Sequence, residues 1–294
     1  FIFCNYVDFI YYLCTQIKII NFMSQKKILY ITQEIYPYVD ETPISNTSRY
    51  LPQAIQEKGM EIRAFMPKYG SINERRNQLH EVIRLSGMNL IIDDSDNSLI
   101  IKVASIQSAR MQVYFIDNED YFQNRETLVD KNGEEYDDNE ERSIFFVRGV
   151  METIKKLRWV PDVIHCHGWF SALAPLYVKK GYKDDPCFKD TKVIYSLYDE
   201  TFKKPFNKNI AEKLRFDGIG EPEIDKVKSR GIMDYQNLMK LAVDFSDGVI
   251  LGSQDVDPKV LQYIKDEKID YLPYQPDFEK SVDEIESFYN KIAE

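Results

Sequence analysis

A strand, a loop, a helix and a second strand succeed one another between residues 28 and 67, and that order leaves few folds open. Ile28-Leu29-Tyr30-Ile31-Thr32 is a short run of aliphatic, aromatic and β-branched residues, the composition of a buried strand. Residues 33–43 carry Pro37 and Pro43 and read as a loop. Residues 46–58 read as a helix stopped by Gly59, a residue free to take the left-handed conformation that ends helices. Glu61 to Met66 reads as a second strand, closed by Pro67. Neighbouring parallel strands need a crossover of this kind, so the unit predicts a parallel sheet.

The pattern continues with less regularity. Residues 80–92, 99–106 and 111–116 read as strands, and the acidic stretch 130–141 as a solvated loop. Ile144, Val147, Val150, Met151, Ile154 and Leu157 mark one face of a helix over 140–158. Strands are expected at 161–167, 192–197 and 248–252, with helices at 169–180, 232–243 and 255–266. Residues 200–230 carry Pro205, Gly218, Gly220 and Pro222 and read as a long surface excursion. A last helix over 280–293 opens on Ser281 and Glu284, a capping-box pattern. The expected fold class is α/β: a Rossmann-like, doubly wound, mostly parallel sheet with helices on both faces, in one domain spanning 23–294.

Composition narrows the function. The 38 Lys and Arg against 48 Asp and Glu give a net charge of −10, which argues against nucleic acid as a partner. Four cysteines without a Cys-x-x-Cys pair make no disulfide framework or zinc cage, so a cytoplasmic setting is expected. The first 22 residues are apolar but contain Asp8 and Lys18, and each costs about 2.5–3.5 kcal/mol at the centre of a membrane span. With no basic n-region and no small-residue cleavage site they do not read as a signal peptide. We expect translation to start at Met23 and residues 1–22 to stand outside the fold; a membrane role is not expected.

Ligands of open α/β sheets bind beyond the C-terminal ends of the strands. Three such ends stand out: Gln33–Ser45, His165-Cys166-His167-Gly168-Trp169, and Ser196-Leu197-Tyr198-Asp199-Glu200. His165 and His167, two apart on a strand, should share a face, with Cys166 in the core behind them. His80 is the only other histidine, so no third metal ligand is in view and no metal or other cofactor is expected. Ser196 would be a nucleophile only with a base placed beside it, and it lacks a G-x-S-x-G elbow. Neither a P-loop nor a G-x-G-x-x-G motif is present.

The same three ends carry a resemblance. Lys27 to Pro37 resembles the opening of bacterial glycogen synthases and plant starch synthases. Leu51-Pro52, Gly59, Arg63 and Met66 to Tyr69 fit the next stretch of that family. Trp159 to Trp169, with Ala172 to Leu176, is similar to that family's W-x-P-D-V-V-H-A-H-D-W-H-x-x-L-A-P segment, and Leu238 to Ser253 resembles a later one. The resemblance implies half of a GT-B fold, in which two Rossmann-like domains face each other across a cleft. It implies transfer of glucose from a sugar nucleotide, usually ADP-glucose, to an α-1,4-glucan. This chain stops about where the first domain ends, so the expectation is a domain without its nucleotide-sugar half.

The departures matter as much. The family's K-T-G-G-L loop, which serves the diphosphate, falls on Asp40, Glu41, Thr42, Pro43 and Ile44. Two acids there repel phosphate, and Pro43 has no N–H to donate. The family's Asp and final His in H-x-H-D-W-H are Gly168 and Phe170, and the His of T-x-H-N is Tyr198, followed by Asp199. The expectation is a glucan- or protein-binding pseudoenzyme. The alternative is half of a split glucosyltransferase completed by a partner chain or oligomer; an unrelated activity on the same scaffold is a third reading. Glu34, Tyr36, Tyr38, His165, His167, Gly168, Trp169, Tyr198 and Asp199 are expected around one sugar-binding mouth.

Overall fold

In the computed structural model, which describes residues 25–294, ten strands form one sheet. The strands are β1 (Lys27–Thr32), β2 (Glu61–Pro67), β3 (His80–Glu81), β4 (Met88–Ile92), β5 (Ser95–Ile106), β6 (Met111–Asp117), β7 (Val163–His167), β8 (Lys192–Leu197), β9 (Gly248–Leu251) and β10 (Tyr271–Leu272). Their order across the sheet is β10-β9-β8-β7-β1-β2-β6-β5-β3, with β4 paired to β5. From β10 to β6 every pair is parallel; β5 runs antiparallel to β6, β3 and β4. This is the expected α/β architecture with an antiparallel hairpin added at one edge.

The helices are α1 (Pro43–Glu57), α2 (Asn139–Leu157), α3 (Ala174–Leu176), α4 (Ile210–Phe216), α5 (Glu221–Ser229), α6 (Tyr235–Asp244), α7 (Pro258–Asp266) and α8 (Phe278–Ala293). The central strands are buried on both sides: Ile28 to Ile31, Val163 to Cys166 and Val193 to Tyr195 are all inaccessible to solvent. Burial of that kind, about 25 cal/mol per Å² of apolar surface, is what drives the sheet together.

Several elements differ from the sequence expectation. α1 begins at Pro43, three residues early, because Thr42 caps it and proline at the first helical position surrenders an N–H that would be unbonded anyway. The expected strand 80–92 is two short strands, β3 and β4, interrupted by a turn before Gly87. The expected helix 169–180 is a 3₁₀ turn, the single α turn of α3 and a wider π turn, Tyr177–Gly181. The excursion at 200–230 holds α4 and α5, and Leu214, Ile219, Ile224 and Val227 in it are buried. α8 starts at Phe278 with Asp277 as its cap, not at the Ser281 capping box. The expectation for residues 1–22 lies outside the described residues. Among the described residues no helix is long and apolar enough to cross a membrane.

Candidate functional site

The strand order reverses direction at β1, which has β2 on one side and β7 on the other. Loops leaving the C-terminal ends of β1 and β7 therefore part to opposite sides and leave a crevice. Register lines up Thr32, His167, Ser196 and Ile250 across the last row of four strands, with Tyr30 and His165 two residues below. Residues two apart on a strand share a face, so the polar members of this set meet under α1 and α8.

They form three buried hydrogen-bonded groups side by side. Thr32 Oγ1 and Ser48 Oγ of α1 lie 2.8 Å apart. His165 Nε2 is 2.7 Å from Ser196 Oγ, and its Nδ1 is 2.6 Å from Tyr289 Oη of α8. Tyr289 Oη is in turn 3.1 Å from Tyr30 Oη. His167 Nδ1 meets Tyr198 Oη at 2.8 Å, while its Nε2 is buried without a partner among the described residues. The imidazole rings lie 4.0 Å apart. Loss of hydration holds His165 far below the usual histidine range, with a smaller push from His167, and drives His167 down to about 3. Both rings are therefore neutral at pH 7. Cys166 points away into the core, and burial pushes its thiol up.

Above this row the chain turns sharply. Gly168 has φ 81° and ψ 153°, a region in which a side chain is strained. Gln33 braces the turn: its Oε1 accepts from Phe170 N at 3.2 Å, and its Nε2 donates to Glu200 Oε2 at 3.1 Å. Glu200 Oε1 accepts from Trp169 N at 2.8 Å. Desolvation, with a smaller contribution from the charge of Glu34, raises the Glu200 carboxyl to about 8. Neither Gln33 nor Glu200 was expected from sequence to line the mouth, although both flank residues that were. Gln33 directly follows β1 and Glu200 lies three residues beyond β8, and a polar side chain just past a strand end was the available signal.

The start of α1 is closed by the chain itself. Thr42 Oγ1 accepts from Ser45 N at 2.9 Å, and Ser45 Oγ accepts from Thr42 N at 2.8 Å. The Thr42 hydroxyl also donates to the Glu34 carboxylate. Desolvation raises the Glu34 carboxyl, and Thr42 and the Ser45 N–H partly offset it. Asp40 and Glu41 are exposed, whereas Pro43 and Ile44 belong to the first helical turn and not to a loop.

The expected single mouth is divided. Trp169 is 5% exposed and packs against Phe170, Phe202 and Phe206, so it closes the core and is not open to a ligand. Tyr198 is 2% exposed, its ring pressed over Gly252, where a Cβ would approach to 2.5 Å. Tyr38 is buried edge-on against Phe115. Asp199 is exposed. Tyr36 instead faces a separate groove of about 760 Å³ with Asp40, Glu41, Asn73, Asn77 and Glu126. A second, smaller cavity of about 230 Å³ lies between α1, the ends of β8 and β9, and the segment entering α8; Ser196 and Tyr198 line it.

A family model described as the starch synthase catalytic domain matches residues 27–271. The glycogen synthase of Pelodictyon phaeoclathratiforme is 38% identical over 174 residues, covering 59% of this chain and 36% of the relative. That of Chlorobaculum parvum is 33% identical over 229 residues, covering 77% and 46%. This chain thus spans less than half the length of these relatives. The catalytic domain of starch synthase IV from Arabidopsis thaliana, solved bound to ADP and acarbose, shares the fold with a TM-score of 0.65 at 17% identity, over 85% of this chain and 51% of that one. The chain belongs to the starch synthase catalytic domain family.

Proposed function

We propose that this glycogen synthase-like glycosyltransferase domain binds an α-glucan in the Tyr36 groove and does not by itself use a sugar nucleotide. The observation that carries the reading is the start of α1. A free helix N-terminus is an anion site, and the resemblance assigns this one to a diphosphate. Here the Thr42 side chain takes the Ser45 N–H, Pro43 at the first helical position has no N–H to offer, and the Glu34 carboxylate with Asp40 and Glu41 puts negative charge at its mouth. The groove supports the glucan half of the reading. A half-buried tyrosine beside amides and carboxylates offers a sugar both a flat apolar face and hydroxyl partners. The starch synthase IV structure, solved with acarbose, supports oligosaccharide as the ligand class for this fold. Free Cys166 and Cys187 fit a reducing cytoplasm.

The share of its relatives' length that the chain spans favours a second reading, in which a partner chain supplies the nucleotide half. The acids around α1 weigh against it. Titration calorimetry of the full chain separates the possibilities. Maltoheptaose should give saturable heat at millimolar concentration and ADP-glucose none, with no glucose transferred to glycogen. Binding of ADP-glucose, or turnover above a boiled control, would refute the proposal.

A further inference from the structure

The relay Tyr30–Tyr289–His165–Ser196 lies apart from the Tyr36 groove, yet it ends on a cavity. Ser196 Oγ is 2.7 Å from His165 Nε2, and His165 Nδ1 is 2.6 Å from Tyr289 Oη. Tyr289 is itself held 3.1 Å from Tyr30. A hydroxyl bonded to an imidazole, which is oriented by a third group, is the arrangement that activates a serine. Sequence alone left Ser196 without a base; the fold supplies one from the neighbouring strand, one row down. On its other side Ser196 lines the cavity of about 230 Å³, which Thr47, Gln275 and Ser281 also line. Leu51, Ile250, Leu251 and Ile285 make much of the remaining wall apolar.

We infer that Ser196 is an acyl-accepting nucleophile, with His165 as its general base, Tyr289 as the positioning residue, and a short-chain acyl ester as the substrate class. In the reacting tautomer His165 donates Nδ1–H to Tyr289 Oη, Tyr289 donates to Tyr30, and Nε2 accepts from Ser196. Ser196 Oγ adds to the ester carbonyl as its proton passes to His165 Nε2. The C–O bond to the leaving alcohol then breaks, and that oxygen takes the proton from Nε2. Water, deprotonated by the same nitrogen, releases the carboxylic acid and restores the serine. The cavity suits a small acyl group and is too small for a glucan.

The test uses the full chain, p-nitrophenyl acetate and diisopropyl fluorophosphate. With the fluorophosphate, Ser196 Oγ bonds to phosphorus as fluoride leaves with the serine proton. Peptide mass spectrometry should find the adduct on Ser196, and nitrophenol release should fall about 100-fold or more in His165→Gln, whose amide keeps the bond to Ser196 but is not a base. Tyr289→Phe should slow release and shift its pH profile in protein that still folds, at a lowered melting temperature. Should His165→Gln not fold, the Ser196 adduct and the Tyr289→Phe profile still decide. No adduct on Ser196 after prolonged millimolar exposure would overturn the inference. So would an adduct formed at an undiminished rate in folded His165→Gln.

Discussion

Gly168→Ala tests whether Gln33 holds the turn after β7. At φ 81° and ψ 153° a Cβ brings backbone strain of about 1–3 kcal/mol. It would also lie 2.3 Å from the Gln33 amide carbon and oxygen, so Gln33 must withdraw. Withdrawal breaks its bonds to Phe170 N and Glu200, each contributing about 0.5–1.5 kcal/mol net. The combined cost is about 2–6 kcal/mol, and at about 2 °C per kcal/mol for a domain of this size the melting temperature should fall by roughly 4–12 °C. Circular dichroism melts and urea titrations of four proteins are needed: wild type, Gly168→Ala, Gln33→Ala and the double variant. In the Gln33→Ala background the clash is gone, and Gly168→Ala should cost only the strain. A single variant that melts with the wild type, or equal costs in both backgrounds, would refute this account of the turn.

Trp169→Ala should destabilise by about 3–5 kcal/mol, the scale for a large buried aromatic, with any loss of maltoheptaose binding tracking the unfolded fraction in the melts. Tyr36→Ala should do the reverse: calorimetry should show maltoheptaose affinity reduced by about 1–2 kcal/mol at unchanged melting temperature. Stability should decline with rising pH between the unfolded glutamate range and about 8. There the native state keeps the Glu200 proton that the unfolded chain has released, and the loss is complete above the folded value. Melts from pH 5 to 9 should show that slope in the wild type and a shallower one in Glu200→Gln; identical slopes would rule out Glu200 as its source.

The strands around the crevice were legible because each carries a short apolar, β-branched or aromatic run on a chain that alternates strands with helices. Ile28 to Thr32 and Val163 to His167 are buried throughout, and no other element type suits so short a run so near a turn. His165 and His167 were placed on one face by the two-residue repeat alone. The ends of the helices were harder. α8 could start at Ser281 or at Asp277 by local chemistry, and Asp277, whose carboxylate accepts from Lys280 N at 3.1 Å, is the cap it takes. Residues 200–230 looked like a loop because prolines, glycines and charges interrupt their apolar residues. Leu214 and Val227 nonetheless belong to the buried core. Trp169 was the hardest: a tryptophan at a strand end reads equally as a sugar platform or a core plug, and Phe202 and Phe206, more than thirty residues on, settle it.

The contact between α8 and the first strand sets an order of events during synthesis. Tyr289 meets Tyr30 across a separation of 259 residues, and Asn290 meets Lys26 across 264. Closing a loop that long costs about 5 kcal/mol of chain entropy beyond a constant term. Such contacts form late, because their enthalpy comes only after that entropy has been given up. A ribosome making this protein therefore displays α1 and the first strand while more than two hundred further residues are added, before the helix that covers them exists. During that interval the face of α1 that later meets α8 stays uncovered, and the nascent chain presents apolar surface to whatever is nearby. Dependence on chaperones should concentrate in this window, and substitutions on the inner face of α8 should lower the yield of folded protein in the cell more than their equilibrium cost alone implies.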